Sequence, residues 1–138
     1  MRSSLTCLIV DDVQNIRVVT KQVLMKMGCK SVLEASTGEE ALKLLSNDKK
    51  HKPVDLIFLD LGLPQMSGLD CLRAIRSNPK TSQIRCVILT SERVEDHVRE
   101  AIALGAAGYV VKPFSPRTLE THLDRALADR DKVMEKSS

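Results

Sequence analysis

Five short apolar runs recur along the chain: Leu8-Ile9-Val10, Ser31-Val32-Leu33, Leu56-Ile57-Phe58-Leu59, Val87-Ile88-Leu89 and Tyr109-Val110-Val111. Each has the length of a strand, and most are apolar on successive residues rather than on alternate ones. That pattern suits strands covered on both faces, as in a parallel sheet. Between and after them lie segments of helical period. Ile16, Val19, Val23 and Met27 share one face of the first, which ends at Gly28. Ala41, Leu42 and Leu45 mark the second, with Ser36 and Thr37 as candidate N-caps. Leu69, Leu72 and Ile75 mark the third, which Asn78-Pro79 terminates. Val94, Val98, Ala101 and Ile102 form a thin stripe on the fourth, closed by Gly105. Leu119, Leu123, Ala126 and Leu127 form a stronger stripe on the fifth, whose start is marked by Ser115 as N-cap and Pro116 at the first helical position.

Strand followed by helix, five times over, predicts an α/β domain with a central parallel sheet and right-handed crossovers. With 138 residues and 43% hydrophobic content the chain is long enough for one core and too short for two. The domain is drawn over 5–128, and 129–138 reads as a polar C-terminal tail that frays. No apolar run approaches the ~20 residues that span a bilayer. The stretch Cys7 to Val10 falls short of the roughly 7–15 apolar residues of a secretory signal, so a cytoplasmic location is expected, with no membrane insertion.

Charge changes little. The net +3 is weak support for a polyanionic partner. The densest basic run, Lys49-Lys50-His51-Lys52, has no interleaved aromatic residue to stack on bases, so a solvated loop is favoured and no direct nucleic acid binding is expected. Cys7, Cys29, Cys71 and Cys86 form no CxxC pair and the histidines do not cluster with them, which favours reduced thiols packed as small hydrophobes over zinc ligation.

In open α/β sheets, ligands bind beyond the carboxyl ends of the strands. Asp11 and Asp12 follow the first run, Asp60 ends the third, Thr90-Ser91 ends the fourth, and Lys112-Pro113 follows the fifth. Three carboxylates held together repel one another unless a cation is present, and an all-oxygen set suits Mg²⁺. One carboxylate can then attack a phosphoryl group, giving an aspartyl phosphate, with Mg²⁺ and Lys112 neutralising charge and the Thr90 hydroxyl bonding a phosphate oxygen. Singly, each residue has a plainer role: Asp11-Asp12 or Thr90 as helix caps, Asp60 as a turn residue, Lys112 as a surface charge. Their convergence on one edge favours the chemical role.

The set Asp11-Asp12, Asp60 within Leu59-Asp60-Leu61-Gly62-Leu63-Pro64-Gln65-Met66-Ser67-Gly68, Thr90, and Lys112-Pro113-Phe114 resembles the receiver domain of two-component response regulators. Gly108-Tyr109-Val110-Val111-Lys112-Pro113-Phe114 is similar in style to the last strand of CheY-like chemotaxis regulators. The resemblance implies a five-stranded parallel sheet of order 2-1-3-4-5 flanked by five helices, the flavodoxin-like arrangement. It implies Asp60 as phosphoacceptor, and Mg²⁺ held by Asp11, Asp12, Asp60 and the backbone carbonyl of Gly62. Lys112 would pair with the phosphate through a cis Lys112-Pro113 bond, and Thr90 and Tyr109 would form a switch pair. The phosphodonor would be a sensor histidine kinase or phosphotransfer protein. A protein target would bind the fourth helix, fifth strand and fifth helix, with Val98, Ile102, Tyr109, Val111 and His122 as candidate contacts. The expected product is a switch with slow self-hydrolysis, not a metabolic enzyme.

Three rivals differ in what they require. A haloacid-dehalogenase-like phosphatase wants a second aspartate two residues after the nucleophile, where Gly62 stands. A flavodoxin-like cofactor binder wants a Ser-, Thr- or Gly-rich loop after the first strand, where Asp11-Asp12 would repel phosphate. A receiver that acts only as a scaffold has no need of the intact acidic set. A receiver cut from a larger regulator, its output domain absent from this chain, stands as the alternative to a stand-alone switch.

Overall fold

The computed structural model describes residues 2–47, 51–91 and 93–137. A 3-10 turn at Arg2–Ser4 leads into β1 (Thr6–Val10), α1 (Gln14–Lys26), β2 (Ser31–Ala35), α2 (Gly38–Ser46), β3 (Leu56–Leu59), α3 (Gly68–Ser77), β4 (Arg85–Thr90), α4 (Glu95–Ala103), β5 (Gly108–Val111) and α5 (Pro116–Ser137). The sheet order is β2-β1-β3-β4-β5 and every pairing is parallel, as expected. Lys49 and Lys50 of the basic run, and Glu92 after Ser91, lie outside the described residues. The backbone of α5 continues past 128 to Ser137.

Alternate residues of the central strands feed two apolar layers. Leu8, Val10, Ile57, Leu59 and Ile88 meet Ala41 of α2, Leu69, Leu72 and Ile75 of α3, and Ala101 of α4. Ile9, Phe58, Val87 and Leu89 meet Val23 and Leu24 of α1 and Leu119, Leu123 and Ala126 of α5. Residues pointing both ways are buried, which is why these strands read as unbroken apolar runs. The four cysteines are buried free thiols within these layers, and burial pushes the Cys86 thiol up to about 11 and that of Cys71 to about 12.

The helix starts follow local chemistry. Thr37 Oγ1 accepts the Glu40 N–H at 3.1 Å, and the Glu40 carboxylate reaches back to the N–H and hydroxyl of Ser36. Ser67 Oγ accepts the Asp70 N–H, and Ser115 Oγ accepts the Thr118 N–H. Gly28 and Gly105 close α1 and α4 at φ 103° and 79°, where a Cβ is disfavoured.

Two apolar faces differ from the periodic expectation. On α1, Val19 is 41% exposed, and Thr20 is buried in its place, its hydroxyl donating to the Ile16 carbonyl at 2.7 Å. A threonine satisfied within its own helix presents a methyl to the core, so it packs although it reads as polar. On α4, Val94 and Ile102 are exposed, Val98 is half-buried and only Ala101 is buried. Polar contacts from α3 fasten that helix instead. Arg73 pairs with Glu100, and Arg76 donates from Nε to the Leu104 carbonyl at 2.6 Å and from Nη2 to the Gly105 carbonyl at 3.3 Å.

Candidate functional site

Parallel strands end at a common edge, and the ladder runs one residue beyond three of them. Asp11 N–H donates to the Ala35 carbonyl at 3.1 Å, Asp60 N–H to the Val10 carbonyl at 3.0 Å, and Lys112 N–H to the Thr90 carbonyl at 2.9 Å. The backbone of each chemistry-bearing residue is therefore fixed by the sheet. The Lys112 ammonium bridges Asp11 Oδ2 at 2.5 Å and Asp60 Oδ2 at 3.0 Å. The three side chains are 14%, 3% and 8% exposed respectively. Asp12 is exposed at the rim, and one carboxylate oxygen from each of Asp11, Asp12 and Asp60 lies within 4.8 Å of the other two.

Each carboxylate is also oriented by the backbone. Asp60 Oδ1 accepts the Gly62 N–H at 3.0 Å, and Asp11 Oδ1 accepts the Val13 N–H at 2.9 Å at the entry to α1. The turn role considered for Asp60 is real and coexists with the cluster. The cap role considered for Asp11-Asp12 is not, since the N-cap of α1 is Val13 and Asp11 accepts that residue's own N–H, ahead of the helix. Lys112 is no surface charge and Thr90 is no cap: Thr90 is a fully buried residue that ends β4. The Lys112-Pro113 bond is cis.

Two further residues shape the site. Gly68, at the start of α3, donates its N–H to the Leu61 carbonyl at 2.9 Å. A Cβ there would stand 2.1 Å from the Asp60 carbonyl oxygen and 2.4 Å from Leu61 Cα, so only glycine lets α3 begin this close to Asp60. Arg17 on α1 donates to the Asp11 carbonyl at 2.7 Å and to Glu34 at 3.2 Å, tying the β1 end to β2. The glycine stood within the motif already singled out; nothing in the spacing identified the arginine.

Burial raises the Asp11 carboxyl above its ordinary range, outweighing the Lys112 and Val13 hydrogen bonds that lower it. Burial also pulls Lys112 down, but its hydrogen bonds to Asp11 and Asp60, and their charges, leave it raised. One ammonium faces three carboxylates, so the pocket keeps an excess of negative charge among oxygen donors. Hard divalent cations that retain water, Mg²⁺ above all, match that donor set.

The proposed switch and contact residues are spread along the β5 edge. Tyr109 lies opposite Ile88 and is half-buried against the core layer that includes Ala101; Val111 lies opposite Thr90. His122 of α5 is half-buried with its ring beside Gly108, where a Cβ would sit 3.0 Å from Nδ1. Val98 is half-buried and Ile102 is 60% exposed. Among the described residues no helix is long and apolar enough to cross a membrane.

Comparison with known proteins adds a family match, two relatives and two solved structures. The family described as the response regulator receiver domain matches residues 7–124. Chemotaxis protein CheY1 of Helicobacter pylori is 33% identical over 124 residues, covering 90% of this chain and 98% of that protein. Chemotaxis protein CheY of Pseudomonas aeruginosa is 33% identical over 118 residues, covering 86% and 92%. Among solved structures, a CheY-like receiver domain protein from Methanospirillum hungatei superposes with a TM-score of 0.81 at 30% identity, covering 94% of this chain and 98% of that one. The signal receiver domain of a signal transduction histidine kinase from Syntrophus aciditrophicus gives 0.78 at 27% identity, covering 91% and 92%.

Proposed function

The chain belongs to the response regulator receiver domain family, and on that premise we propose that Asp60 accepts a phosphoryl group from a phosphohistidine of a sensor histidine kinase or phosphotransfer protein. The observation that carries this reading is the half-buried Lys112 ammonium shared by the buried carboxylates of Asp60 and Asp11. It supplies a fixed positive charge beside a carboxylate whose other oxygen is held by the Gly62 N–H.

In the transfer, an Asp60 carboxylate oxygen attacks phosphorus, the phosphorus–nitrogen bond breaks, and the imidazole leaves with the bonding pair. Lys112 follows the new negative charge onto the phosphoryl oxygens, and the Thr90 hydroxyl bonds one of them. Water later attacks phosphorus, releases inorganic phosphate and restores the Asp60 carboxylate, so the acceptor is consumed and regenerated. Asp11, Asp12, Asp60 and the carbonyl of Gly62 are the groups that would hold Mg²⁺, which supplies charge neutralisation for the transfer. The phosphoryl group adds charge and acceptor oxygens. Thr90 then moves toward them, Tyr109 turns further inward, and a protein target reads the changed surface of α4, β5 and α5 through Val98, Ile102, Tyr109, Val111 and His122.

The test is direct. Acetyl phosphate with Mg²⁺ should add one phosphoryl mass to the intact protein, and Asp60→Asn should abolish the addition. Full labelling of the Asn variant would place the acceptor elsewhere.

A further inference from the structure

Arg17 stands where charge alone would not put it. It lies in the first turn of α1, which holds no acidic residue, and a helix N-terminus disfavours cations. It also reaches the backbone of Asp11, one of the three carboxylates that would receive Mg²⁺. A guanidinium there repels the metal that those carboxylates attract. What Arg17 offers the site is geometry.

The guanidinium is held on two sides. Its Nε donates to Glu34 Oε1 at 3.2 Å, and the other oxygen of Glu34 pairs with Lys21 at 3.7 Å. Glu34 lies on β2 opposite Ile9 of β1, so this contact anchors Arg17 to the sheet. Its Nη1 donates to the Asp11 carbonyl at 2.7 Å. The side chain is 17% exposed, which limits the water that could take over that bond.

The Asp11 carbonyl belongs to the planar peptide that also carries the Asp12 N–H. The Asp11 carboxylate is fixed independently of that peptide, by the Val13 N–H and by Lys112. Asp12 differs. It is exposed at the rim, and among the described residues no hydrogen bond or ion pair holds its carboxylate. The setting of its peptide is therefore what aims Asp12 at the cluster, and Arg17 is the side chain that fixes that setting.

We infer that Arg17 is a positioning residue for Mg²⁺: by clamping the Asp11–Asp12 peptide it holds the Asp12 carboxylate in reach of the metal. The inference rests on the reading of Asp11, Asp12 and Asp60 as the metal's ligands. Groups that orient metal ligands commonly change affinity by about 10–100-fold. Charge and positioning predict opposite signs. Acting through charge, Arg17 would weaken Mg²⁺ binding, and its removal would tighten it. Acting as a clamp, it strengthens binding, and its removal loosens it.

Metal-free, ¹⁵N-labelled full chain titrated with MgCl₂ at constant ionic strength separates the two. Amide shifts of Asp12, Val13 and Gly62 give the dissociation constant, and thermal unfolding without metal is followed alongside. Arg17→Met should weaken Mg²⁺ binding about tenfold in a chain that stays folded. Arg17→Lys keeps the charge but presents one nitrogen to both acceptors, and should weaken binding less. A lower melting temperature with native Mg²⁺ affinity would make Arg17 a structural tie alone and overturn the inference, as would tighter binding in Arg17→Met. If the Met variant is unfolded, native affinity in Arg17→Lys overturns it. Without saturable shifts in the native chain, the Mg²⁺ reading itself falls, and this inference with it.

Discussion

Lys112→Met removes the ammonium from between Asp11 and Asp60 and keeps a stem of similar length. In the folded chain the lysine nitrogen lies 2.5 Å from one carboxylate and 3.0 Å from the other, and all three side chains are largely out of water. Breaking a buried pair while leaving its partner charged costs about 3–5 kcal/mol. Here the orphaned Asp11 can take up a proton, since burial already raises its carboxyl, so the lower end, about 3 kcal/mol, is the working value. For a domain of this size 1 kcal/mol moves the melting temperature by about 4 °C, which sets the expected fall at about 12 °C in metal-free buffer at neutral pH. Mg²⁺ should then restore more stability to the variant than it adds to the native chain, because it replaces the missing positive charge. Thermal unfolding with and without Mg²⁺ reads both effects. A fall of under about 4 °C, or an equal gain from Mg²⁺ in the two proteins, would refute the view that Lys112 holds the two carboxylates together.

The pH dependence follows with a defined sign. Lys112 is raised in the fold, so its contribution is fully present below its ordinary 10.5 and is lost as pH rises through the higher folded value. Asp11 is raised above 3.8, so the fold favours its protonated form; that stabilisation is complete below 3.8 and gone above the folded value, and at neutral pH ionised Asp11 is a net cost. The deficit of Lys112→Met should therefore shrink as pH falls through the raised Asp11 value.

Three further outcomes are expected. Asp11→Asn keeps an oxygen for the Val13 N–H and removes the buried charge, so its metal-free melting temperature at neutral pH should rise while phosphorylation by acetyl phosphate is lost; a lower melting temperature would contradict the cost assigned to ionised Asp11. Gly68→Ala must move α3 away from Asp60, and denaturant unfolding should show a loss of about 1–3 kcal/mol, with phosphorylation slowed; an unchanged midpoint would show that the loop yields freely. Tyr109 is the only tyrosine and there is no tryptophan, so tyrosine fluorescence reports on one ring. It should change, and its quenching by solutes should drop, as Asp60 becomes phosphorylated; a constant signal at full occupancy would remove Tyr109 from the switch.

Much of this arrangement was legible in the sequence because a parallel sheet converts chain order into position. β1, β3 and β4 are covered on both sides and therefore read as continuous apolar runs, and the residues that follow them must share an edge. Asp11, Asp60 and Lys112 could be placed together on that ground, and Thr37 and Ser115 could be named as caps from local chemistry alone. The ammonium bridge itself was not legible, since it joins side chains 101 and 52 positions apart. Nor was the exchange of Val19 for Thr20 on α1, because a hydroxyl satisfied by the preceding turn looks polar to any hydropathy pattern.

α4 shows why the missing contacts bear on function. The thin apolar stripe expected on this helix implies little packing against the core. Its single buried residue, Ala101, agrees, but Arg73 and Arg76 hold the same helix through Glu100 and the carbonyls of Leu104 and Gly105. Polar tethers of this kind have no period and leave no trace in sequence. They also differ from apolar packing in how they yield. A packed face resists sliding because its side chains interlock, whereas a guanidinium on a flexible stem can follow a moving carbonyl. A helix with one small buried residue and two arginine tethers can thus shift while keeping its polar partners, which suits the helix that borders β5 and the surface proposed to read the state of Asp60.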